Sequence, residues 1–232
     1  MSTLTHDLWR ACGSPRRALR GLRHWALLAH HARLPYADVL RYRQELATDH
    51  AFRGHLARCL TDVPYIFPEA AELYVIVRAA RPRVMVETGV ASGISSAHIL
   101  RAMERNGEGT LHSIDLPNVQ QGSVLAQGRT SGWMVPDALR ARWKLLLGDA
   151  RGLVPEVLKA LDRVDVFLHD SDHSYEHMTF EYELAWPKLE PGGLLLSDDT
   201  HLHTAWQDFC SKHGARAGRL GHLGVTRKER NA

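Results

Sequence analysis

Cysteine is scarce. Cys12, Cys59 and Cys210 are the three in 232 residues, and no two share a Cys-x-x-Cys spacing. That excludes a disulfide framework and a thiolate zinc site, and it fits a reducing compartment. Long apolar runs are missing as well. The longest near the start, Trp25–Ala29, is far short of a bilayer span, and no small-residue cleavage pattern follows a hydrophobic signal region. A soluble, cytoplasmic protein with no stable membrane insertion is expected. The formal net charge is only +3, so the whole chain lacks a strong electrostatic footprint for nucleic acid, and no nucleic-acid partner is expected.

What is present suits a folded domain. Hydrophobic residues make up 44% and charged residues 24%, enough for a full core and against a mainly disordered chain. The length fits one sizeable α/β domain with a modest extension. One asymmetry stands out. Between Asp7 and Asp38 there is no acidic residue, while Arg10, Arg16, Arg17, Arg20, Arg23 and Arg33 accumulate. Such a stretch is either a solvated helix face or a contact for an anionic substrate, a membrane surface or an acidic partner.

From Asp7 to about Cys59 apolar residues recur at helical steps (Leu19, Leu22, Trp25, Ala26, Ala29, then Val39, Leu40, Leu46). Residues 1–63 are therefore read as an N-terminal helical cap, which offers a surface for a homo-oligomer, and residues 64–232 as the main domain. After a further helix at Glu69–Ala80, short apolar runs alternate with helical stretches, the signature of a parallel sheet with crossover helices. Strands are expected at Val84–Glu87, Thr110–Asp115, Trp143–Leu147, Val164–His169 and Leu194–Ser197. Helices are expected at Ser95–Asn106, Val154–Leu161, Glu176–Leu189 and Thr204–His213. Ala215–Leu220 and Leu223–Arg227 read as a closing hairpin. The fold class is α/β, a Rossmann-like, doubly wound and mostly parallel seven-stranded sheet. The glycine-containing stretch Pro117–Arg142 is a candidate lid.

The first strand runs Val84-Met85-Val86-Glu87-Thr88 into Gly89-Val90-Ala91-Ser92-Gly93, and a helix starts near Ser95. Gly89 and Gly93 let backbone approach a ligand, and the helix N-terminus supplies unpaired amide donors. A dinucleotide site would place Gly-x-Gly-x-x-Gly here. This chain has Glu-x-Gly-x-x-x-Gly, and no Gly-Lys-Ser/Thr follows for a P-loop. A carboxylate at Glu87 would repel a pyrophosphate but suits a ligand with ammonium and sulfonium centres. Asp115 ends the second strand, where it can accept from ribose hydroxyls, and Asp149, after the third, can reach an adenine amino group. Each acid alone reads equally well as a turn or cap residue. Together they match an adenosine ligand across the sheet mouth.

A second constellation follows. The fourth strand ends in Asp170-Ser171-Asp172-His173 and the fifth in Asp198-Asp199. In a parallel sheet both ends open on one side, so Asp170, Asp198 and Asp199 can converge there. Three carboxylates repel one another unless a cation sits between them, and a hard divalent ion, Mg²⁺ first, is the natural occupant. The alternative is that these acids only cap helices or start turns.

On these motifs the stretch from about Pro68 to Arg227 resembles the class I S-adenosylmethionine-dependent methyltransferases, and within them the metal-dependent sugar O-methyltransferases of the macrocin and mycinamicin type. The resemblance implies S-adenosylmethionine as cofactor, held by Glu87, Gly89, Gly93, Ser95, Asp115, Asp149 and Asp170, and Mg²⁺ on Asp170, Asp198 and Asp199. It also implies a base at His173, with Asp172 as rival, and O-methylation of a small hydroxylated acceptor in natural-product biosynthesis. One departure is the 28 positions between Glu87 and Asp115, longer than usual. An acceptor carboxylate, phenol or amine, a nucleotide-binding oxidoreductase and a non-catalytic adenosine-binding protein stay open as alternatives. His201, His203, Trp133 and Trp206 are candidates for the acceptor wall.

Overall fold

The computed structural model describes residues 15–60, 67–117, 125 and 128–229. Three helices lead: α1 (Pro15–Ala32), α2 (Tyr36–Ala47) and α3 (His50–Cys59). α4 (Ala70–Ala80) precedes β1 (Val84–Thr88), α5 (Ile94–Asn106), β2 (Thr110–Asp115), a 3₁₀ turn (Asp137–Arg142) and β3 (Trp143–Leu147). Then come α6 (Ala150–Ala160), β4 (Val164–His169), α7 (Tyr175–Lys188), β5 (Leu189–Ser197), α8 (Ala205–Lys212), β6 (Gly218–Leu220) and β7 (Leu223–Arg227). No helix among the described residues is long and apolar enough to cross a membrane.

The strands form one seven-stranded sheet in the order β3-β2-β1-β4-β5-β7-β6. β1 to β5 run parallel, and β7 is antiparallel to both β5 and β6. The chain winds outward from β1 to β3, then returns to place β4 on the other side of β1. The switch point thus lies between β1 and β4, where α/β sheets hold their ligands at the carboxyl ends.

Alternation along the central strands builds a core on each face. Met85, Leu111, Val166, Leu168, Leu194 and Leu196 point to the side covered by α4, α5 and the leading helices. Val86, Ile114, Phe167 and Leu195 point to the side covered by α6, α7 and α8. Trp25, Leu28, Val39, Tyr42 and Leu46 join the first core, so apolar packing is continuous from the leading helices into the sheet. Arg78 ties α4 to α2, its Nε donating to Glu45 Oε1 over 2.6 Å.

Two elements start at least four residues earlier than the sequence pattern predicts. β5 begins at Leu189 because Leu189 still pairs with Val164, while a bulge before Val166 and Gly192 at φ 86° absorb the Pro191-Gly192-Gly193 stretch. α6 begins at Ala150 because Asp149 caps it, accepting the Arg151 amide over 2.8 Å. Of the candidate lid, residues 118–124 and 126–127 lie outside the described residues. The stretch from Ser131 onward is anchored, with Met134, Val135 and Leu139 buried in the first core.

Candidate functional site

A cavity of about 700 Å³ opens at the carboxyl ends of the parallel strands. It is of the size that encloses a nucleoside-like ligand with part of an acceptor. Gly89 and Ser95 bring β1 and α5 to its wall, Asp115 brings β2, and Asp149 brings the end of β3. Asp170, Asp172 and His173 follow β4, and Asp198 and Asp199 follow β5, all in the same wall.

Glu87 and Gly93 are not in that wall. Glu87 is fully buried beneath it, and its carboxylate accepts from Ser95 Oγ and Ser96 Oγ at 2.6 Å each and from Ser113 Oγ at 2.7 Å. Trp143 Nε1 donates in turn to Ser113 Oγ over 2.8 Å. Burial pushes this carboxyl up in spite of the three hydroxyl donors. Glu87 thus joins β1, β2 and the first turn of α5 into one unit under the cavity floor. Gly93, at φ 89°, begins α5, and a Cβ there would stand 2.6 Å from Gly132 Cα, so its bareness serves chain packing.

Asp115 Oδ1 accepts the Val90 amide over 3.0 Å, which fixes the glycine turn against the end of β2. Asp149 both caps α6 and faces the cavity. Asp172 accepts the Ser174 amide over 2.8 Å, and this bond holds its carboxyl below the ordinary range.

Of the three acids expected to meet, Asp170 and Asp198 converge with His173, while Asp199 groups with His201 and His222. Oxygens of Asp170 and Asp198 and a ring nitrogen of His173 lie within 4.8 Å of one another. His173 Nε2 is 3.5 Å from Asp170 Oδ1 and Nδ1 is 3.4 Å from Asp199 Oδ2. Asp198 Oδ1 is buried with no hydrogen-bond partner. Burial and the neighbouring carboxylates raise Asp170 well above the usual carboxyl value, and the same causes push Asp198 up to about 6. Burial, with His169 close by, pushes His173 down to about 4. A crowd of carboxylates that resists its own ionisation, with an orphaned buried oxygen among them, fits a divalent cation.

One supporting cluster escaped the sequence reading. Glu181, in α7 and fully buried, accepts from Thr88 Oγ1 (2.6 Å), His169 Nδ1 (2.7 Å), Ser171 Oγ (2.7 Å) and His177 Nε2 (2.9 Å). It knots β1, β4 and α7 together directly behind Asp170. The one local signal is His177-x-x-x-Glu181, one helical turn apart; nothing local marks Thr88 or Ser171 as partners. Burial alone would push this carboxyl up, but His169 and the donors His177 and Thr88 outweigh it and hold it well below the ordinary range. A carboxyl depressed in the folded state stabilises the fold above its unfolded value of about 4.3 and loses that contribution as pH falls below it. Glu181→Gln is expected to cost about 2 kcal/mol at pH 7, because an amide NH₂ then faces buried donors. The gap to wild type should narrow between pH 5 and pH 3, as read by urea unfolding. An unchanged midpoint at pH 7 would refute the knot.

His203 does not line the cavity. Its Nε2 donates to the His173 carbonyl over 2.7 Å while Nδ1 accepts the Ala205 amide, so it steadies the turn that carries His173. Trp206 is buried in the second core and donates to the Gly218 carbonyl, and Trp133 packs beside the first core, so neither forms the wall.

Residues 86–200 match a family model described as a methyltransferase domain. That match spans just under half of the chain, and it makes the stretch from β1 to the end of β5 similar to a methyltransferase domain. Solved structures agree in fold. An O-methyltransferase of Bacillus cereus in complex with SAH is 14% identical, with 78% of this chain and 92% of that one covered and a TM-score of 0.54. An SAH-bound methyltransferase of Podospora anserina is 13% identical over 78% and 88%, with a TM-score of 0.57. The O-methyltransferase TomG of Streptomyces achromogenes, involved in tomaymycin synthesis and in complex with SAM, is 16% identical over 78% and 90%, with a TM-score of 0.55. No curated protein matches the chain. The likeness is to methyltransferases as a class and does not single out the macrocin and mycinamicin type. In this chain the switch-point cavity and the family match coincide, since the cavity acids from Asp115 to Asp199 fall inside residues 86–200.

Proposed function

We propose that the protein methylates a hydroxyl oxygen of a small acceptor, a sugar or similar metabolite of natural-product biosynthesis, that chelates a divalent cation at Asp170, Asp198 and Asp199. One observation carries this reading. The same cavity wall holds the nucleoside-type acids Asp115 and Asp149 and, across the β1–β4 crevice, the converging carboxylates of Asp170 and Asp198 beside the half-buried imidazole of His173, with Asp199 against its other nitrogen. TomG, with its part in tomaymycin synthesis, offers a parallel for the setting.

In this reading Asp115 would hold the ribose, Asp149 the adenine edge, and the backbone at Gly89 the methionine portion of S-adenosylmethionine. A bound cation, Mg²⁺ by its preference for hard oxygen donors, supplies a lower pKa and a fixed direction for the acceptor hydroxyl. His173 is the base. Burial keeps its imidazole neutral at pH 7, and Nε2 is buried with no hydrogen-bond partner of its own. With S-adenosylmethionine bound, the O–CH3 bond would form as the S–CH3 bond breaks and its electron pair stays on sulfur, leaving S-adenosylhomocysteine, while His173 Nε2 would take the hydroxyl proton. Asp172 is the poorer base because the Ser174 amide stabilises its charged form.

Calorimetric titration with S-adenosylhomocysteine, with Mg²⁺ and with chelator, tests the core of the proposal. Saturable binding in both conditions is expected, and Asp115→Ala should weaken it by roughly tenfold or more, about 1.4 kcal/mol for each decade. Absence of binding in every condition would overturn the reading. Unchanged affinity in the variant would remove the ribose role alone.

A further inference from the structure

Asp199 divides its carboxylate between two groups. Oδ2 faces inward to His173 at 3.4 Å. Oδ1 faces outward, 2.9 Å from His222 Nδ1 and 3.5 Å from His201 Nδ1. The two imidazoles contact each other, with ring centroids 4.3 Å apart. One oxygen and two ring nitrogens therefore meet at the cavity rim, all within 4.8 Å of one another. They come from remote parts of the chain: Asp199 and His201 from the loop after β5, His222 from the β6–β7 turn.

We propose that Asp199, His201 and His222 form a second cation site, one for a borderline divalent transition metal of the zinc class. The donor set decides the class. Two imidazoles and one carboxylate suit zinc and its neighbours, whereas magnesium prefers oxygen alone. The spacing agrees, since ligands about 2.0–2.2 Å from zinc stand on the order of 3.4 Å apart in a tetrahedron. Solvent reaches both histidines, whose side chains are 39% and 48% exposed, so water completes the coordination.

The site is built as well as placed. The His222 backbone is held at both ends: its amide donates to Glu69 Oε1 over 2.9 Å, and its carbonyl accepts from Thr200 Oγ1 at 3.0 Å and the Thr200 amide at 3.2 Å. Gly221, at φ 62°, makes the turn so close to Glu69 that a Cβ would overlap its carboxylate. Asp199 itself sits at φ 50°, a conformation that directs its carboxylate between the two clusters. These bonds fix the His222 backbone before any metal arrives. A metal on Oδ1 would set the orientation of a carboxylate whose other oxygen serves the cavity. The inference does not depend on the proposed methyl acceptor or on cofactor binding.

The test is calorimetric titration of the full chain with Zn²⁺ in excess Mg²⁺, on wild type and on His201→Gln/His222→Gln. Wild type should bind zinc, and the double variant should lose one equivalent or weaken it by more than the roughly 10–100-fold seen when only an outer-shell partner is removed. A thermal melt checks that the variant folds. Should it not fold, His201→Gln, which leaves the pinned turn intact, is used instead, together with the visible spectrum of Co²⁺-loaded wild type. Zinc binding equal in wild type and variant, or no zinc binding by wild type, overturns the site. S-adenosylhomocysteine titration of the same samples reads cofactor binding separately, so the two proposals fail independently.

Discussion

Gly89→Ala is expected to abolish cofactor binding and to lower stability by more than about 4 kcal/mol, the range reserved for a short list of severe lesions. Gly89 has φ 77°, where an L side chain is strained, and the added Cβ would stand 1.7 Å from the Asp170 backbone oxygen. A flexible side chain could swing away, but a backbone carbonyl cannot. The β1 turn and the end of β4 would have to part, breaking the bonds from the Asp170 amide to the Thr88 carbonyl and from the Gly89 amide to the Ile114 carbonyl, both 2.9 Å. These strand ends frame the cavity, so its floor and its acids move together. Urea unfolding and S-adenosylhomocysteine titration check the result. A variant that melts within about 1 kcal/mol of wild type and still binds would refute this account of the turn.

Asp198→Asn should act in the opposite sense on stability and strongly on turnover. Its carboxyl titrates near 6 in the folded protein, well above its ordinary value, because burial and Asp199 oppose the charge. A carboxyl raised by folding costs stability that accrues as pH rises from its unfolded toward its folded value and is complete above the latter, and the cost vanishes when acid protonates it in both states. In chelator, wild type should therefore melt higher at pH 5 than at pH 7 as far as this group decides, and Asp198→Asn should melt at least as high as wild type at pH 7. Turnover should fall by roughly 10²–10³-fold, some 3–4 kcal/mol of transition-state stabilisation, with S-adenosylhomocysteine affinity retained. Chelation of wild type should give the same loss. Full activity in chelator, or a lower metal-free melting point in the variant, would sink the role. Acids whose removal stabilises the empty protein are the pattern expected where function outweighs stability.

Much of this fold was legible along the chain. Thr110–Asp115, Trp143–Leu147 and Val164–His169 are strands at the expected bounds, each a short apolar run closed by an acid, a glycine or a turn. The ends of those runs located Asp115, Asp149 and Asp170, because a doubly wound sheet delivers its carboxyl ends to one edge. What escaped was everything decided across the sheet. Glu181 reads as an ordinary helix acid until β1 and β4 bring Thr88 and His169 beside it. His222 lies 23 positions from Asp199 in a turn with no motif of its own, and only the antiparallel return of β7 carries it to the rim. Glu87 stands where expected in β1, yet Ser96 and Ser113 on other elements draw its carboxylate under the floor.

The Glu181 knot also limits how the molecule can vary. His169 and His177 grip the same carboxylate from either side of the turn that carries Asp170 and His173, and the Ser174 hydroxyl caps α7 just beyond. That turn is thus strung between two clamped ends like a bridge of fixed span. Lengthening it by a single residue would force either clamp open, whereas changes in side-chain size at its outer positions leave both closed. Diversification toward new acceptors is therefore open by substitution along this stretch and closed by insertion.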